Sequence, residues 1–189
     1  MNRRFTQAAI VALAGVLLAG CGSIEESASP KKGPAMNMQE AAERADAMLD
    51  ATFAAIKPEV HWSHNTTTTG SCDVTRRRMV MTIVSAQRRG NFLGLIERFW
   101  KQNGYAIKSV NPDKQMPAIF AQSQDGFAIT VTVGAKGNVD FKVDTPCVAE
   151  SSVAEPTSRP NGPSYKDTWP LPLPNVHSDF WSATTSPTG

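Results

Sequence analysis

Three histidines are the side chains of this 189-residue chain best suited to acid–base or metal chemistry. His61 and His64 form an H-x-x-H pair, whereas His177 lies far along the chain. On a helix this spacing could put both imidazoles on one face, but the alternation of residues 59–64 predicts a strand, where positions i and i+3 point to opposite sides. A zinc site needs three or four ligands held together. The pattern favours ordinary surface histidines over a metal site, and we predict neither a metal nor a cofactor.

Local motifs of common catalytic sites are absent from the sequence. It contains no G-x-S-x-G, no phosphate-binding loop, no H-E-x-x-H and no credible acid–base carboxylate pair. We therefore predict a protein that is not an enzyme. A hydrolase whose catalytic residues are scattered along the chain is the less favoured alternative.

Apart from Cys21 near the N-terminus, the chain has two cysteines, Cys72 and Cys147. Neither belongs to a C-x-x-C motif or has a neighbouring histidine, so a redox-active or nucleophilic thiol is less favoured. In an exported chain, two thiols most simply form one disulfide. It would close a loop of roughly 76 residues, for which the chain-entropy model gives about 4–5 kcal/mol of stabilisation.

The densest basic cluster is a candidate contact for an anionic lipid or wall polymer. Its members lie on and just beyond a predicted strand: Arg76, Arg77, Arg78, Arg88 and Arg89. The alternative, which we favour, is an edge strand that charged side chains protect from pairing with another chain.

Two amphipathic helices are predicted. The first covers residues 37–57, with Asn37 as N-cap, Glu40 in a capping-box position and Pro58 after its end. The second covers residues 87–103, before Gly104. Its apolar residues recur at helical spacing, namely Phe92, Leu95, Ile96, Phe99 and Trp100.

Six strands are predicted. They cover residues 59–64, 72–85, 105–110, 117–122, 127–133 and 139–144. Residues 65–70, rich in threonine, are predicted to be a polar connection. One apolar and one polar face per strand is typical of an antiparallel sheet that is solvated on one side. The sequence therefore predicts an α+β two-layer sandwich over residues 36–148, with two helices on one face of the sheet and the order α-β-β-α-β-β-β-β.

The N-terminus has the pattern of a bacterial export signal. Arg3 and Arg4 precede an apolar run, residues 8–18, that is shorter than the roughly 20 residues a membrane span needs. Leu18-Ala19-Gly20-Cys21 resembles the bacterial lipobox. We predict a signal peptide over residues 1–20 and a lipidated Cys21; an ordinary secretory signal with a chance cysteine is the alternative. Residues 21–35 are predicted to be a flexible tether with a reach of about 20 Å.

Loss of the signal peptide makes the chain neutral. The full sequence has 19 basic and 17 acidic side chains. Arg3 and Arg4 leave with the leader and no acidic residue does, so the remaining charges balance. The composition therefore gives no support for nucleic-acid binding.

Residues 149–189 differ in composition from the preceding domain. They hold seven of the chain's 13 prolines and few residues able to build a core. We predict a largely disordered tail with polyproline-II character. Trp169, Phe180 and Trp181 are candidates either for docking onto the domain or for contacting a partner.

Residues 18–148 resemble the small lipoproteins of actinobacteria for which no activity is agreed. The resemblance rests on the lipobox, residues 99–105 at the end of the second helix, the Asp125-Gly126 turn and residues 145–148. It implies an exported domain held by its lipid anchor on the outer face of the cell membrane. The expected function is a non-enzymatic binding module for an envelope protein, a wall polymer or a small ligand. A carrier of lipid or another apolar ligand, with its site between helices and sheet, is the alternative.

Overall fold

The computed structural model describes residues 36–134, 137–165 and 167–185. The helices are Met38–Ala55 (α1) and Ala86–Gln102 (α2). The strands are Trp62–Thr69 (β1), Val74–Val80 (β2), Ala106–Asn111 (β3), Ala118–Gln122 (β4), Ala128–Val133 (β5) and Val139–Asp144 (β6). The predicted α+β order is confirmed. The predicted signal peptide, Cys21 and the tether lie outside the described residues.

All six strands form one antiparallel sheet in the order β1-β2-β6-β5-β4-β3. The helices pack on one face of this sheet. β1 and β3 are its edges, whereas β2 lies between β1 and β6. The interpretation of the arginine-rich strand as a protected edge is therefore wrong, because long-range pairing with β6 places that strand inside the sheet.

Both helices begin at side-chain caps. The Asn37 side chain accepts a hydrogen bond from the Glu40 backbone N–H at 3.0 Å, and the Glu40 carboxylate accepts one from the Asn37 N–H at 2.9 Å. This is the predicted capping box. Ser85 caps α2 in the simpler one-sided way. Gly104, at φ 78°, follows the end of α2 in the left-handed conformation that glycine adopts without a steric penalty.

The boundary between β1 and β2 differs from the prediction. β1 continues through the threonine run to Thr69, in keeping with the β propensity of threonine. β2 ends at Val80 instead of residue 85. Beyond it the chain pairs with the C-terminal segment: Ile83 N–H donates to the Val176 carbonyl at 2.8 Å, and Asn175 N–H donates to the Met81 carbonyl at 3.0 Å.

Aromatic side chains fill the space between the helices and the sheet. The Phe53 and Phe141 rings lie 4.8 Å apart, and the indole of buried Trp100 donates to the Thr52 hydroxyl at 3.1 Å. Trp181, from the C-terminal segment, is 1% exposed and packs on Phe92 with ring centroids 5.2 Å apart. This core joins both helices to the sheet.

Cys72 and Cys147 form the predicted disulfide, with Cα atoms 4.8 Å apart. Next to it, Val148 N–H donates to the Cys72 carbonyl at 2.7 Å. The bond joins the chain that enters β2 to the chain that leaves β6.

The described part of the C-terminal segment lies against the domain, in contrast to the disorder that its composition predicts. The Ala154 carbonyl accepts from the Arg76 guanidinium at 2.7 Å, and the Trp181 carbonyl accepts from Ser85 N–H at 2.9 Å. Specific contacts thus hold a segment whose average composition is poor in core residues. Neither helix in the described part of the chain is both long and apolar enough to cross a bilayer.

Candidate functional site

Two of the predicted site residues are buried between the sheet and α1. Arg76 and Arg78 alternate with Arg77 along β2, so they share the face that α1 covers and Arg77 takes the other. The Nε of Arg76 lies 3.2 Å from Asp46 Oδ2, and an Nη of Arg78 lies 2.7 Å from Asp50 Oδ1. Helix α1 therefore supplies a carboxylate to each buried arginine.

Burial strongly influences the ionisation of these groups. Arg78 is fully buried, and its guanidinium stacks 4.1 Å above the Trp62 ring. Desolvation lowers the pKa of Arg78, and the nearby carboxylate of Asp50 opposes the shift. Desolvation raises the pKa of Asp46, against the attraction of Arg76 and Arg78. Both arginines form ion pairs with carboxylates of α1, and their buried guanidinium groups are not accessible to a bound anion.

The same network holds the C-terminal segment. The Arg76 guanidinium donates to the Ala154 carbonyl, as described above, and the Ser158 hydroxyl donates to the Asp50 carboxylate at 2.9 Å. His64 Nε2 lies 2.8 Å from the Ser158 carbonyl oxygen. Polar groups of α1, β1 and β2 thus converge on residues 154–158.

The remaining arginines lie apart from this pair. Arg77 donates to the Thr66 carbonyl at 3.0 Å, Arg88 stacks 4.6 Å from the centre of the Phe180 ring, and Arg89 donates to the Lys114 carbonyl at 3.2 Å. The structure therefore does not gather the five predicted anion contacts into one site, since they occupy both faces of the sheet and the start of α2.

A groove of about 550 Å³ lies between β1 and the C-terminal segment. This volume is within the range of pockets that bind small molecules. The β1 wall is polar, and the opposite wall combines aromatic, proline and hydroxyl side chains. The described lining residues are Ser63, His64, Asn65, Thr66, Glu155, Pro160, Gly162, Pro163, Ser164, Tyr165, Thr168, Trp169 and Leu171.

Close contacts position the outer wall of the groove. The Asn161 side chain accepts from Trp62 N–H at 3.2 Å and donates to Glu59 at 2.7 Å. A Cβ at Gly162 would lie 3.2 Å from the His61 Cβ, so glycine permits the close approach of the segment to β1. The sequence shows Asn161-Gly162 only as a turn pattern, which explains why sequence reasoning missed its role.

A loop carries Trp169 at the rim of the groove. At its base, Tyr165 hydroxyl donates to the Asn175 side chain at 2.6 Å, and Asn175 N–H donates to the Met81 carbonyl. Trp169 is 73% exposed, which is unusual for such a large apolar side chain. The loop therefore presents an indole to solvent from a fixed base.

The three candidate partner residues differ in accessibility. Trp169 is exposed, and Phe180 is 38% exposed while stacked against Arg88. Trp181 is buried, and its indole donates to the Pro58 carbonyl at 2.6 Å. The Trp181 side chain therefore lies in the core of this structure and is not accessible to a partner.

The histidines do not assemble into one site. His64 borders the groove, His61 lies behind Gly162, and exposed His177 lies 3.9 Å from Asp179. Within the described ranges, no group of three or more histidine, cysteine, aspartate or glutamate residues is arranged to hold a metal ion.

A second pocket, of about 600 Å³, lies beside Arg89, Lys114 and Met116. Gly134 and Gly137 also line it, and they flank residues 135–136, which the structure does not describe. Lys166, between the groove residues Tyr165 and Thr168 in sequence, is likewise not described. The groove beside β1 is the candidate site because the exposed Trp169 lines it.

Comparison with known proteins adds one weak structural likeness. No family model matches the chain, and no curated protein sequence matches it. The crystal structure of a DUF4853 family protein from Actinomyces odontolyticus ATCC 17982, at 2.65 Å resolution, is similar over 75% of this chain and 78% of its own. The identity is 12% and the TM-score 0.34, a level that carries no argument about function. The functional proposal therefore rests on this chain's own residues.

Proposed function

We propose that this protein is a lipid-anchored binding module of the cell envelope, with the groove between β1 and the C-terminal segment as its ligand site. The observation that carries the proposal is the construction of that groove. Its outer wall is the C-terminal segment, which has few residues able to build a core. Buried charges, backbone hydrogen bonds and Trp181 nevertheless hold this segment to the domain. A wall held in this way presents a preformed site, which reduces the ordering cost of binding.

The groove supports binding better than catalysis or apolar transport. The aromatic core fills the region where a carrier would hold its ligand, so we do not assign the ligand to the space between helices and sheet. The imidazole of His64 already contacts the Ser158 carbonyl through Nε2. We therefore assign no catalytic residue to the groove.

Membrane attachment is tested by Cys21→Ala in the full-length protein. The lipobox motif predicts that this change stops lipidation, so the variant should leave the membrane fraction or accumulate as unprocessed precursor. Fractionation with immunoblotting, together with metabolic labelling by a fatty acid, measures both outcomes. A variant that is still processed, labelled and membrane-bound would refute the anchor.

Ligand binding in the groove is tested by placing a photo-crosslinking amino acid at Thr168 in cells. Thr168 is exposed and lines the groove, whereas Lys108 is an exposed position on β3, at the other edge of the sheet. We expect irradiation to give discrete adducts from position 168 and none of the same mass from position 108. No adduct from either position, or identical adducts from both, would contradict the proposal.

A further inference from the structure

The groove is poorly suited to a peptide that would extend the sheet. Strand addition needs a continuous row of free backbone groups along an edge. Along β1, the Trp62 N–H already donates to Asn161, and the Thr66 carbonyl already accepts from Arg77. The pairing register also shifts between Asn65 and Thr68, which marks an irregularity that interrupts the regular edge. Recognition in the groove must therefore depend mainly on side chains.

The described lining residues give no positive support for an anionic ligand, although Lys166, next to Tyr165 in sequence, is not described and Arg77 donates to the Thr66 carbonyl. Among the described residues of the groove lining there is no lysine or arginine, and Glu155 supplies a carboxylate. Phosphate and carboxylate ligands are usually bound by arginine or lysine. The nearby buried arginines are already engaged with Asp46 and Asp50.

The remaining side chains suit a ligand rich in hydroxyl groups. Exposed Thr66 and Thr168 supply hydroxyl groups, which both donate and accept hydrogen bonds. The Asn65 amide is already bonded to Asp140 and to the Thr66 N–H. At the rim, the exposed Trp169 ring supplies a flat apolar surface. A pyranose ring has the matching chemistry, because its hydroxyls lie around the edge and its axial C–H groups form an apolar face.

We propose that the groove binds a saccharide, with a sugar ring stacked on Trp169 and its hydroxyls bonded to the side chains of Thr66 and Thr168. This inference rests on the proposed function and names the ligand class of the same site. The volume of about 550 Å³ suits a short stretch of an oligosaccharide.

The test uses the mature domain with its complete C-terminal segment and five probes at millimolar concentration. Four are neutral hexasaccharides: an α-1,4-glucan, a β-1,4-glucan, an α-1,6-mannan and an oligomer of N-acetylglucosamine. The fifth is a proline-rich peptide. Chemical-shift changes of the tryptophan indole N–H groups report where each probe binds, and titration gives its affinity.

We expect at least one saccharide to shift the Trp169 indole signal and leave that of buried Trp100 unchanged. Trp169→Ala should weaken this binding about tenfold or more, because it removes the stacking surface. Trp169→Phe should restore part of it. Leu173→Ala is the matched control, since Leu173 is an exposed apolar residue of the same loop outside the groove lining and its removal should leave affinity unchanged.

Two results overturn the saccharide inference: no shift of the Trp169 signal with any saccharide, or binding of the peptide alone. If position 168 still gives groove-specific adducts in cells, the binding function stands and only the ligand class is wrong. If those adducts are also missing, both proposals fail.

Discussion

Trp181→Ala tests whether the C-terminal segment is part of the folded domain. Trp181 is 1% exposed and packs edge-to-face on Phe92, with its indole bonded to the Pro58 carbonyl at 2.6 Å. A disordered tail, as its composition predicts, would make this substitution neutral. Because Trp181 is buried, we instead expect this substitution to lower the free energy of unfolding more than most others in the segment.

The expected loss follows mainly from burial. Truncating a buried tryptophan to alanine costs about 3–5 kcal/mol through lost transfer energy and the cavity left behind. The Pro58 carbonyl also loses its donor, but Pro58 is exposed, so water can replace the indole N–H and this loss adds little. We therefore expect a loss of about 3–5 kcal/mol, against a typical domain stability of about 5–15 kcal/mol.

Equilibrium denaturation and limited proteolysis together measure this loss. The segment of the variant could detach while the rest of the domain stays folded. In that case the free energy of unfolding falls by no more than the free energy of docking the segment, and proteolytic cleavage within residues 149–185 becomes faster. Trp169→Ala is the matched control, because that side chain is 73% exposed and its loss should change stability by no more than about 0.5 kcal/mol. If the two variants match in both denaturation midpoint and cleavage rate, the docking of the segment through Trp181 is refuted.

Three further variants test the stability of the domain, each by denaturant titration. Asp46→Asn leaves Arg76 buried without its carboxylate and should cost about 3–5 kcal/mol; a change below about 1 kcal/mol would contradict the buried pair. Replacing both Cys72 and Cys147 by serine should cost about 4–5 kcal/mol, and the parent protein should show no reactive thiol at these positions after denaturation without reductant. Asp140→Asn should flatten the pH dependence of the unfolding free energy. Desolvation raises the pKa of the Asp140 carboxyl in the folded state, despite the hydrogen bond from Asn65. This carboxyl therefore stabilises the folded state below its unfolded pKa, and that contribution is lost as the pH rises through its folded pKa. An unchanged slope between pH 4 and pH 7 would refute that assignment.

Local patterns predicted the helices and most strands because their causes act over a few residues. The capping box at Asn37, the apolar spacing of α2 and the glycine after it each depend on neighbours in sequence. The errors came where long-range pairing competed with local preference. β2 ended early because residues 81–83 pair with residues 175–176, more than 90 positions away.

The candidate site was predicted only in part. Trp169 was identified from composition as an unusual aromatic residue in a proline-rich segment. Of the other wall, on β1, Ser63 and His64 fell in a predicted strand, whereas Asn65 and Thr66 were predicted to be a polar connection. Asn161 and Gly162 gave no usable signal, since their roles depend on the approach of the segment to Trp62 and His61.

The sequence by itself determined the α+β element order, the capped starts of the helices and the pairing of Cys72 with Cys147. Only the tertiary structure decided the environment of Arg76 and Arg78, which are buried because α1 packs on the face of β2 that carries them. It also decided the contrast between Trp169 and Trp181, twelve positions apart in one segment. The physical reason is that burial depends on which surfaces meet after the chain has folded, and the core accommodates the second indole but not the first.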